Sequence, residues 1–226
     1  MFKILSTLLL TCLTATSVYA EMISIPATRD ATLIEDPDGA LANGSGPALF
    51  AGRTNQTVNG IRRALIHFDV ATALPENALI DRVSLYLYLN KGNPQPTSTS
   101  LHRVLSDWGE GASSSNGGGG ASAQDHDATW LHTFYDYDYW VQAGGHFIPH
   151  ASATRLVDET GPYTWSSTVS LVNNVRLWLH APQQNFGWLV MGDEDSPQTV
   201  NRFSSREGLE AGQHPMLTIE YHLPGE

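Results

Sequence analysis

The 226-residue sequence is poor in cysteine, in lysine and in long apolar runs. Its one cysteine, Cys12, lies within the first twenty residues, so no disulfide is expected in the rest of the chain. The apolar run from Ile4 to about Leu13 is far shorter than the roughly 20 residues that a membrane-spanning helix needs. We therefore expect no membrane span, and a fold that packing or a bound ion must stabilise.

The first twenty residues have the pattern of a secretory signal. Met1-Phe2-Lys3 gives a positively charged start, the short apolar run follows, and Val18-Tyr19-Ala20 is typical of a cleavage site. We expect residues 1–20 to be a cleaved signal peptide and residues 21–226 to form a single domain. The protein is then expected to be secreted, and to be extracellular or periplasmic.

Basic residues are few, and nearly all of them are arginine. Without Lys3, 11 basic residues stand against 23 acidic ones, a net charge of −12 (11 minus 23). This balance argues against nucleic acid as a partner, because affinity for nucleic acid comes mostly from neutralised phosphates. Ten of the 11 are arginines, which either pair internally with carboxylates or bind the carboxylates of an acidic sugar.

Alternation of apolar and polar residues predicts that most of the chain forms strands. The clearest case is LIDRVSLYLYLN, where alternate residues are expected to face the core: Val83, Leu85, Leu87 and Leu89. The residues between them are expected to face outward: Ser84, Tyr86, Tyr88 and Asn90. NFGWLVM predicts a strand buried on both faces, PMLTIEY a strand buried on one face, and ATRDATLIED an edge strand.

One helix is predicted, in SSTVSLVNNVRLWLHAP. Its apolar face is expected to contain Val169, Val172, Val175 and Leu179, with Ser166 or Ser167 as the cap and Pro182 at the end. GEGASSSNGGGGASAQ is expected to be a flexible loop, and DATWLHTFYDYDYWVQAGGHF to cross one end of a sheet. The predicted fold is all-β: an antiparallel β-sandwich, a jelly roll, with one short helix.

Seven segments in this order resemble one family of secreted bacterial proteins. They are RRALIHFDV, SDWGEG, DATWLHTFYDYDYWVQAGGHF, YTWSS, NFGWLVMGDE, NRFSSRE and PMLTIEY. Together they are similar to the DNRLRE domain family, which is akin to carbohydrate-binding module family 96. The resemblance implies an exported jelly roll of the kind attached to polysaccharide-degrading enzymes, where related modules bind acidic polysaccharide. His146 and Ser204 stand where such sequences often have an acidic residue.

Two aromatic segments are candidates for sugar binding. Tyr86 and Tyr88 stand on one face of a strand about 7 Å apart, which suits stacking on sugar rings, or else packing under a loop. The run from Tyr135 to Trp140 alternates tyrosine with aspartate. It predicts an aromatic platform, an oxygen-rich cation site or a plug at the end of the sandwich.

Arginines near the C-terminus are the third candidate. Arg202, Arg206 and Glu207 would contact a uronate, with Arg62 or Arg63 completing a basic cleft, or they would form an internal ion pair that orders the last loop.

Acidic turns are candidates for metal binding. Asp36 and Asp38 in EDPDG could bind calcium, although the turn does not match a twelve-residue calcium loop; GDEDS offers a similar cluster. Both turns are equally explained as solvated loops. None of the nine histidines lies in an HExxH motif, so no zinc site of that kind is predicted. No cofactor is predicted with certainty, and calcium is the one considered.

The expected function is that of a secreted, non-catalytic carbohydrate-binding module that recognises extracellular or cell-envelope polysaccharide, including acidic polysaccharide. The chain has no Gly-x-Ser-x-Gly motif, so no catalytic serine elbow is predicted. Two alternatives stay open: a structural or adhesive matrix protein, and an enzyme that degrades polysaccharide. The oligomeric state is not predicted.

Overall fold

The computed structural model of the chain describes residues 20–93 and 95–224. Apart from Ala20, the predicted signal peptide (residues 1–20) lies outside the described residues. Within these ranges no helix has the length and apolar character needed to cross a membrane. In chain order the elements are β1 (Glu21–Pro26), β2 (Arg29–Ile34), β3 (Leu41–Asn43), β4 (Ala48–Arg53), β5 (Ile61–His67), α1 (Val70–Ala73), β6 (Leu79–Lys91), β7 (Thr97–Arg103), β8 (Ala121–Ser122), β9 (His132–Phe134), β10 (Asp138–Tyr139), β11 (Ala153–Val157), β12 (Gly161–Trp165), α2 (Val169–His180), β13 (Trp188–Met191), β14 (Asn201–Ser204) and β15 (Met216–His222).

The strands form two layers of antiparallel sheet. In the front sheet β6 pairs with β12 along one edge and with β15 and β14 along the other, and β1 pairs with β15. The back sheet runs β8-β3-β2-β5-β13-β7-β11. The predicted all-β, antiparallel sandwich is therefore confirmed, while its jelly-roll connectivity stays a prediction.

Strand β4 belongs to both sheets. It pairs with β14 through residues 48–51 and with β5 through Gly52 and Arg53. Gly52 has φ +119°, in the left-handed region that glycine adopts most easily, and a Cβ there would come within 2.6 Å of the Thr199 carbonyl. A glycine at this position lets β4 pass from one sheet to the other.

The main core lies between the two sheets. The four residues of β6 predicted to face inward are all completely buried. Opposite them lie Trp188 and Val190 of β13, and the indole of Trp188 packs against Trp178 of α2 at 4.4 Å between ring centroids. Because side chains alternate between the two faces of a strand, β6 contributes every second residue of this stretch to the core.

A second apolar cluster covers the outer face of the back sheet. Leu33, Leu65 and Leu189 point away from the main core and pack under Trp108 and Trp140. This explains why β13 is buried on both faces, as its sequence predicts. The aromatic-rich segment after residue 126 thus lies across a sheet face and not across an end, which corrects the prediction.

Helix α2 is present where predicted, but its cap and its buried face differ. Thr168 is the cap and accepts a hydrogen bond from the Leu171 amide, in place of Ser166 or Ser167. Val169 is exposed and Trp178 is buried. At about 100° per residue, Val169 lies about 120° around the helix from Val175, too far to share its buried face.

Two other segments differ from their predictions. Strand β2 pairs with both β5 and β3, so it is an interior strand and not an edge strand. The Gly- and Ser-rich loop contains β8, which pairs with β3. The loop is therefore attached to the sheet edge at Ala121 and Ser122.

Replacement of a buried leucine tests the assignment of the main core. Leu87→Ala should lower the free energy of unfolding by about 2–5 kcal/mol, because it removes apolar contacts and leaves a cavity. Leu209→Ala is the matched control, since Leu209 is 97% exposed, and should change stability by less than about 0.5 kcal/mol. Urea denaturation measures both. Equal effects of the two substitutions would contradict this core.

Candidate functional site

Polar and aromatic side chains share the outer face of the front sheet. Because Val83 and Leu85 point into the core, Ser84 and Tyr86 of β6 point outward. Thr164 of β12 is paired with Tyr86, and Thr218 of β15 is paired with Ser84. Directly paired residues lie on the same face, so three strands contribute to one surface.

A continuous depression runs along this surface, and we call it the sheet-face groove. It consists of three cavities of about 400, 190 and 340 Å³. The first two share Arg82 and Ser167, and the last two share Ser84, Thr164 and Thr218. The groove therefore extends from α2, across β12, β6 and β15, to the loop before β15.

Tyr86 forms part of the wall at one end of the groove. Its hydroxyl donates a hydrogen bond to the Gly212 carbonyl at 3.2 Å, which holds the half-buried ring beside Met216. Burial, with a smaller contribution from Tyr88, raises the pKa of the Tyr86 hydroxyl. Tyr86 is thus a neutral, positioned aromatic ring. Tyr88 lies on the same face and is paired with Pro162.

Two guanidinium groups line the other end of the groove. The side chain of Arg82 is 67% exposed, and its nearest carboxylate oxygen, on Glu220, is 3.6 Å away. Arg176 of α2 donates to the Ile80 carbonyl at 2.6 Å and lines the same cavity as Arg82. Arg82 and Arg176 place donors for carboxylates beside the hydroxyls of the middle section.

Arg63 lies on the other side of the sandwich, away from Tyr86 and Tyr88. Its guanidinium donates to both oxygens of Glu194 at 2.7 and 2.8 Å and to the Gly144 carbonyl at 2.7 Å. It also lies over the rings of Trp130 and Phe147. Arg63 therefore ties two loops to the outer face of the back sheet.

Arg206 and Arg62 are also engaged within the protein. Arg206 forms a bidentate pair with Glu110, with both distances at 2.7 Å, and a further pair with Glu207 at 2.9 Å. Arg62 is buried and donates to the carbonyls of Gly118, Asn59 and Ile61.

Arg202 is half-buried in β14 and is paired with Lys91 of β6. Because its neighbour Phe203 points into the core, Arg202 points away from it, on the side of the front sheet that carries the two tyrosines. Arg63 and Arg206 are bound to carboxylates of the protein, so the structure does not gather all three arginines around the tyrosines in one cleft.

The acidic turn EDPDG is ordered by its own backbone. An Asp36 carboxylate oxygen accepts a hydrogen bond from the Ala40 amide at 2.7 Å, and Asp38 is exposed. Among the described residues, the three carboxylates that lie close enough for one ion belong to Asp30, Glu110 and Glu207. The prediction of a metal at Asp36 and Asp38 stays a prediction.

The second aromatic candidate forms a short hairpin. Tyr137 and Tyr139 are 67% and 65% exposed, while Trp140 is buried in the cluster on the back sheet. Tyr135 and Asp136 line a cavity of about 270 Å³ with Asp125. This hairpin is an exposed aromatic surface that is separate from the sheet-face groove.

Comparison with known proteins assigns no relatives. A scan against protein-family models finds no match, and a search of curated proteins finds none either. Membership of the DNRLRE family therefore remains a prediction from the motifs.

Arg82 and Arg176 are not among the residues predicted from the sequence to bind sugar. The alternation of β6 that exposes Ser84 and Tyr86 also places Arg82 on that face, so its position follows from the sequence pattern. The position of Arg176 does not, because only the packing of α2 beside β6 brings it to the groove. Thr164 and Thr218 likewise depend on strand pairing that the sequence does not encode locally.

Removal of the Glu194 carboxylate tests the ion pair assigned to Arg63. Glu194→Ala should lower the free energy of unfolding by about 1–3 kcal/mol, because it leaves a largely buried guanidinium without its carboxylate. Glu220→Ala is the control, since the Arg82–Glu220 pair is exposed and should contribute less than about 1 kcal/mol. Thermal denaturation at low and high salt measures both. A smaller loss for Glu194→Ala than for Glu220→Ala would contradict the assignment.

Proposed function

We propose that this protein is a secreted, non-catalytic carbohydrate-binding module, of the DNRLRE type with jelly-roll connectivity, that holds a polysaccharide chain in the sheet-face groove. The observation that carries the proposal is the groove itself, a continuous depression across one sheet. It is lined by the ring of Tyr86, by six serine and threonine side chains and by the guanidinium groups of Arg82 and Arg176, with the carboxylates of Asp81 and Glu220 beside them. The proposed place of action is outside the cell or in the periplasm.

The chemistry of the groove matches that of a sugar chain. A pyranose ring has an apolar face that packs against an aromatic ring, and Tyr86 presents such a ring. Its hydroxyls exchange hydrogen bonds with groups that both donate and accept, as Ser84, Thr164 and Thr218 do. An extended, shallow groove admits the middle of a polymer, whereas a closed pocket would admit only its end.

The two arginines favour a polysaccharide that carries carboxylates. Arg82 and Arg176 lie at the end of the groove nearest α2, so a uronate would bind there while its neighbours extend toward Tyr86. The negative net charge of the protein opposes long-range attraction of a polyanion. We therefore propose that binding relies on short-range contacts within the groove and weakens as salt increases.

Substitution of Tyr86 tests this function. Affinity gel electrophoresis in gels that contain a polyuronate or a neutral glucan should show retardation by the polyuronate. Tyr86→Ala should weaken binding about five- to tenfold, because loss of the ring contact is worth on the order of 1 kcal/mol. Tyr86→Phe should bind within about twofold of the unmodified chain, since the stacking surface remains.

The matched control for this experiment is Tyr137→Ala, which removes a more exposed tyrosine from the hairpin. It should leave retardation unchanged, and circular dichroism should show that every variant is folded. If Tyr137→Ala lost retardation and Tyr86→Ala kept it, the polysaccharide would bind the hairpin and not the sheet-face groove. No retardation by any polysaccharide tested would overturn the proposed function.

A further inference from the structure

Three carboxylates from distant parts of the chain meet at one point, where Asp30 is buried and the other two are partly buried. Asp30 belongs to β2, Glu110 follows β7, and Glu207 follows β14. One oxygen from each lies within 4.8 Å of the others. We call Asp30, Glu110 and Glu207, together with Arg206, the carboxylate cluster.

Several oxygens of the carboxylate cluster already have partners. Oε1 of Glu110 accepts from the Asp30 amide and from Nε of Arg206, at 2.8 and 2.7 Å. Oε2 of Glu110 accepts from Arg206 at 2.7 Å, so it keeps a free lone pair. Oδ2 of Asp30 accepts from the Arg206 amide at 2.8 Å. These bonds hold the cluster in a defined geometry.

Two other oxygens are buried and have no hydrogen-bond partner among the residues that the structure describes. They are Oδ1 of Asp30 and Oε2 of Glu207. Asp30 is completely buried, and one oxygen of its carboxylate lies within 4.8 Å of an oxygen of Glu110 and of Glu207. A buried carboxylate oxygen without a hydrogen bond costs about 1–3 kcal/mol or more, so a native protein satisfies it in some way.

The charge of the cluster also calls for a positive partner. When all three carboxylates are ionised, three carboxylates and one guanidinium give a net charge of −2 (1 minus 3). One oxygen from each carboxylate lies within 4.8 Å of the others and Asp30 is completely buried, so water screens their repulsion poorly. The site therefore attracts positive charge.

We propose that the carboxylate cluster binds a divalent cation, Ca²⁺, through Oδ1 of Asp30, Oε2 of Glu207 and the free lone pair of Oε2 of Glu110. The charge of the ion cancels the net charge of −2, and both unpartnered oxygens become ligands. Arg206 acts as a positioning residue, because it orients Glu110 and Glu207 without occupying the two free oxygens.

The donor set identifies the class of ion. All the donors are oxygens, which suits a hard cation, whereas zinc and copper prefer sites that include histidine or cysteine. Ca²⁺ accepts an irregular arrangement of ligands with water completing the shell, while Mg²⁺ requires a near-ideal octahedron. Ca²⁺ sites of extracellular modules bind at about 10⁻⁴–10⁻³ M, which is the range expected here.

The site would join three separate segments. It links β2 of the back sheet, the long loop between β7 and β8, and the turn that follows β14. The chain between residues 21 and 226 contains no cysteine, so a bound ion would take the place of a covalent crosslink. This inference is independent of sugar binding, since the cluster does not line the sheet-face groove.

Calcium titration of the whole chain tests the proposal. After treatment with EDTA, addition of about 10 mM CaCl₂ should raise the midpoint of thermal unfolding by about 3–6 °C, which corresponds to roughly tenfold excess over the dissociation constant. Isothermal titration calorimetry with CaCl₂ should show one ion bound per chain. MgCl₂ at the same concentration should give a smaller shift.

Two conservative variants locate the ion. Asp30→Asn and Glu207→Gln keep the shape of the side chains but remove charge, and each should weaken Ca²⁺ binding at least tenfold. Asp38→Asn, in the exposed acidic turn, is the matched control and should retain both the heat of binding and the thermal shift. If Asp30→Asn does not fold, Glu207→Gln gives the same test, because Glu207 is only half-buried.

Two results would overturn the proposal. One is an unmodified chain that binds no Ca²⁺, in which case a proton shared by Asp30 and Glu207 would satisfy the cluster. The other is Ca²⁺ binding that survives Glu207→Gln and is lost in Asp38→Asn, because the ion would then lie in the acidic turn.

Discussion

The contact on which the rest of this structure depends is that between the inward side chains of β6 and the back sheet. β6 is a long strand, and its alternate residues Val83, Leu85, Leu87 and Leu89 fill the space between the layers. No disulfide is expected in this chain, so burial of these side chains must supply most of the stabilising free energy. The same alternation leaves Ser84, Tyr86 and Tyr88 on the opposite face, where the sheet-face groove forms.

The two sheets differ in whether other segments cover their outer faces. An aromatic-rich segment covers the outer face of the back sheet, with Trp108 and Trp140 packed on Leu65 and Leu189. Arginines hold this covering layer and its neighbours, since a planar guanidinium can bond a carboxylate and a backbone carbonyl together, as Arg63 does with Glu194 and Gly144. This internal use of arginine accounts for much of its predominance over lysine.

The elements with the strongest alternation could be predicted from the sequence. The inward face of β6, the doubly buried β13, the half-buried β15 and the position of α2 all follow from local periodicity. The burial of Asp30 could not be predicted, because β2 is covered on both sides by segments far away in sequence. Glu110 lies in a loop of low-complexity sequence, and its partner Arg206 lies 96 residues further along the chain.

Local patterns therefore predicted which residues share a face, while the pairing of distant strands determined which residues form a site. Tyr86 was identified because its neighbours alternate, but the hydroxyls opposite it come from β12 and β15. The chemistry of Arg206 in NRFSSRE suits a ligand carboxylate. Its guanidinium instead pairs with Glu110, which the loop after β7 brings to it, and with the neighbouring Glu207.

The proposed binding surface is the outer face of the front sheet. Its most direct test is nuclear magnetic resonance of backbone amides during titration with a polyuronate oligosaccharide. We expect shifts in β6, β12 and β15 and in the loop that contains Gly212, with little change elsewhere. Shifts confined to the β9–β10 hairpin or to the back sheet would contradict it.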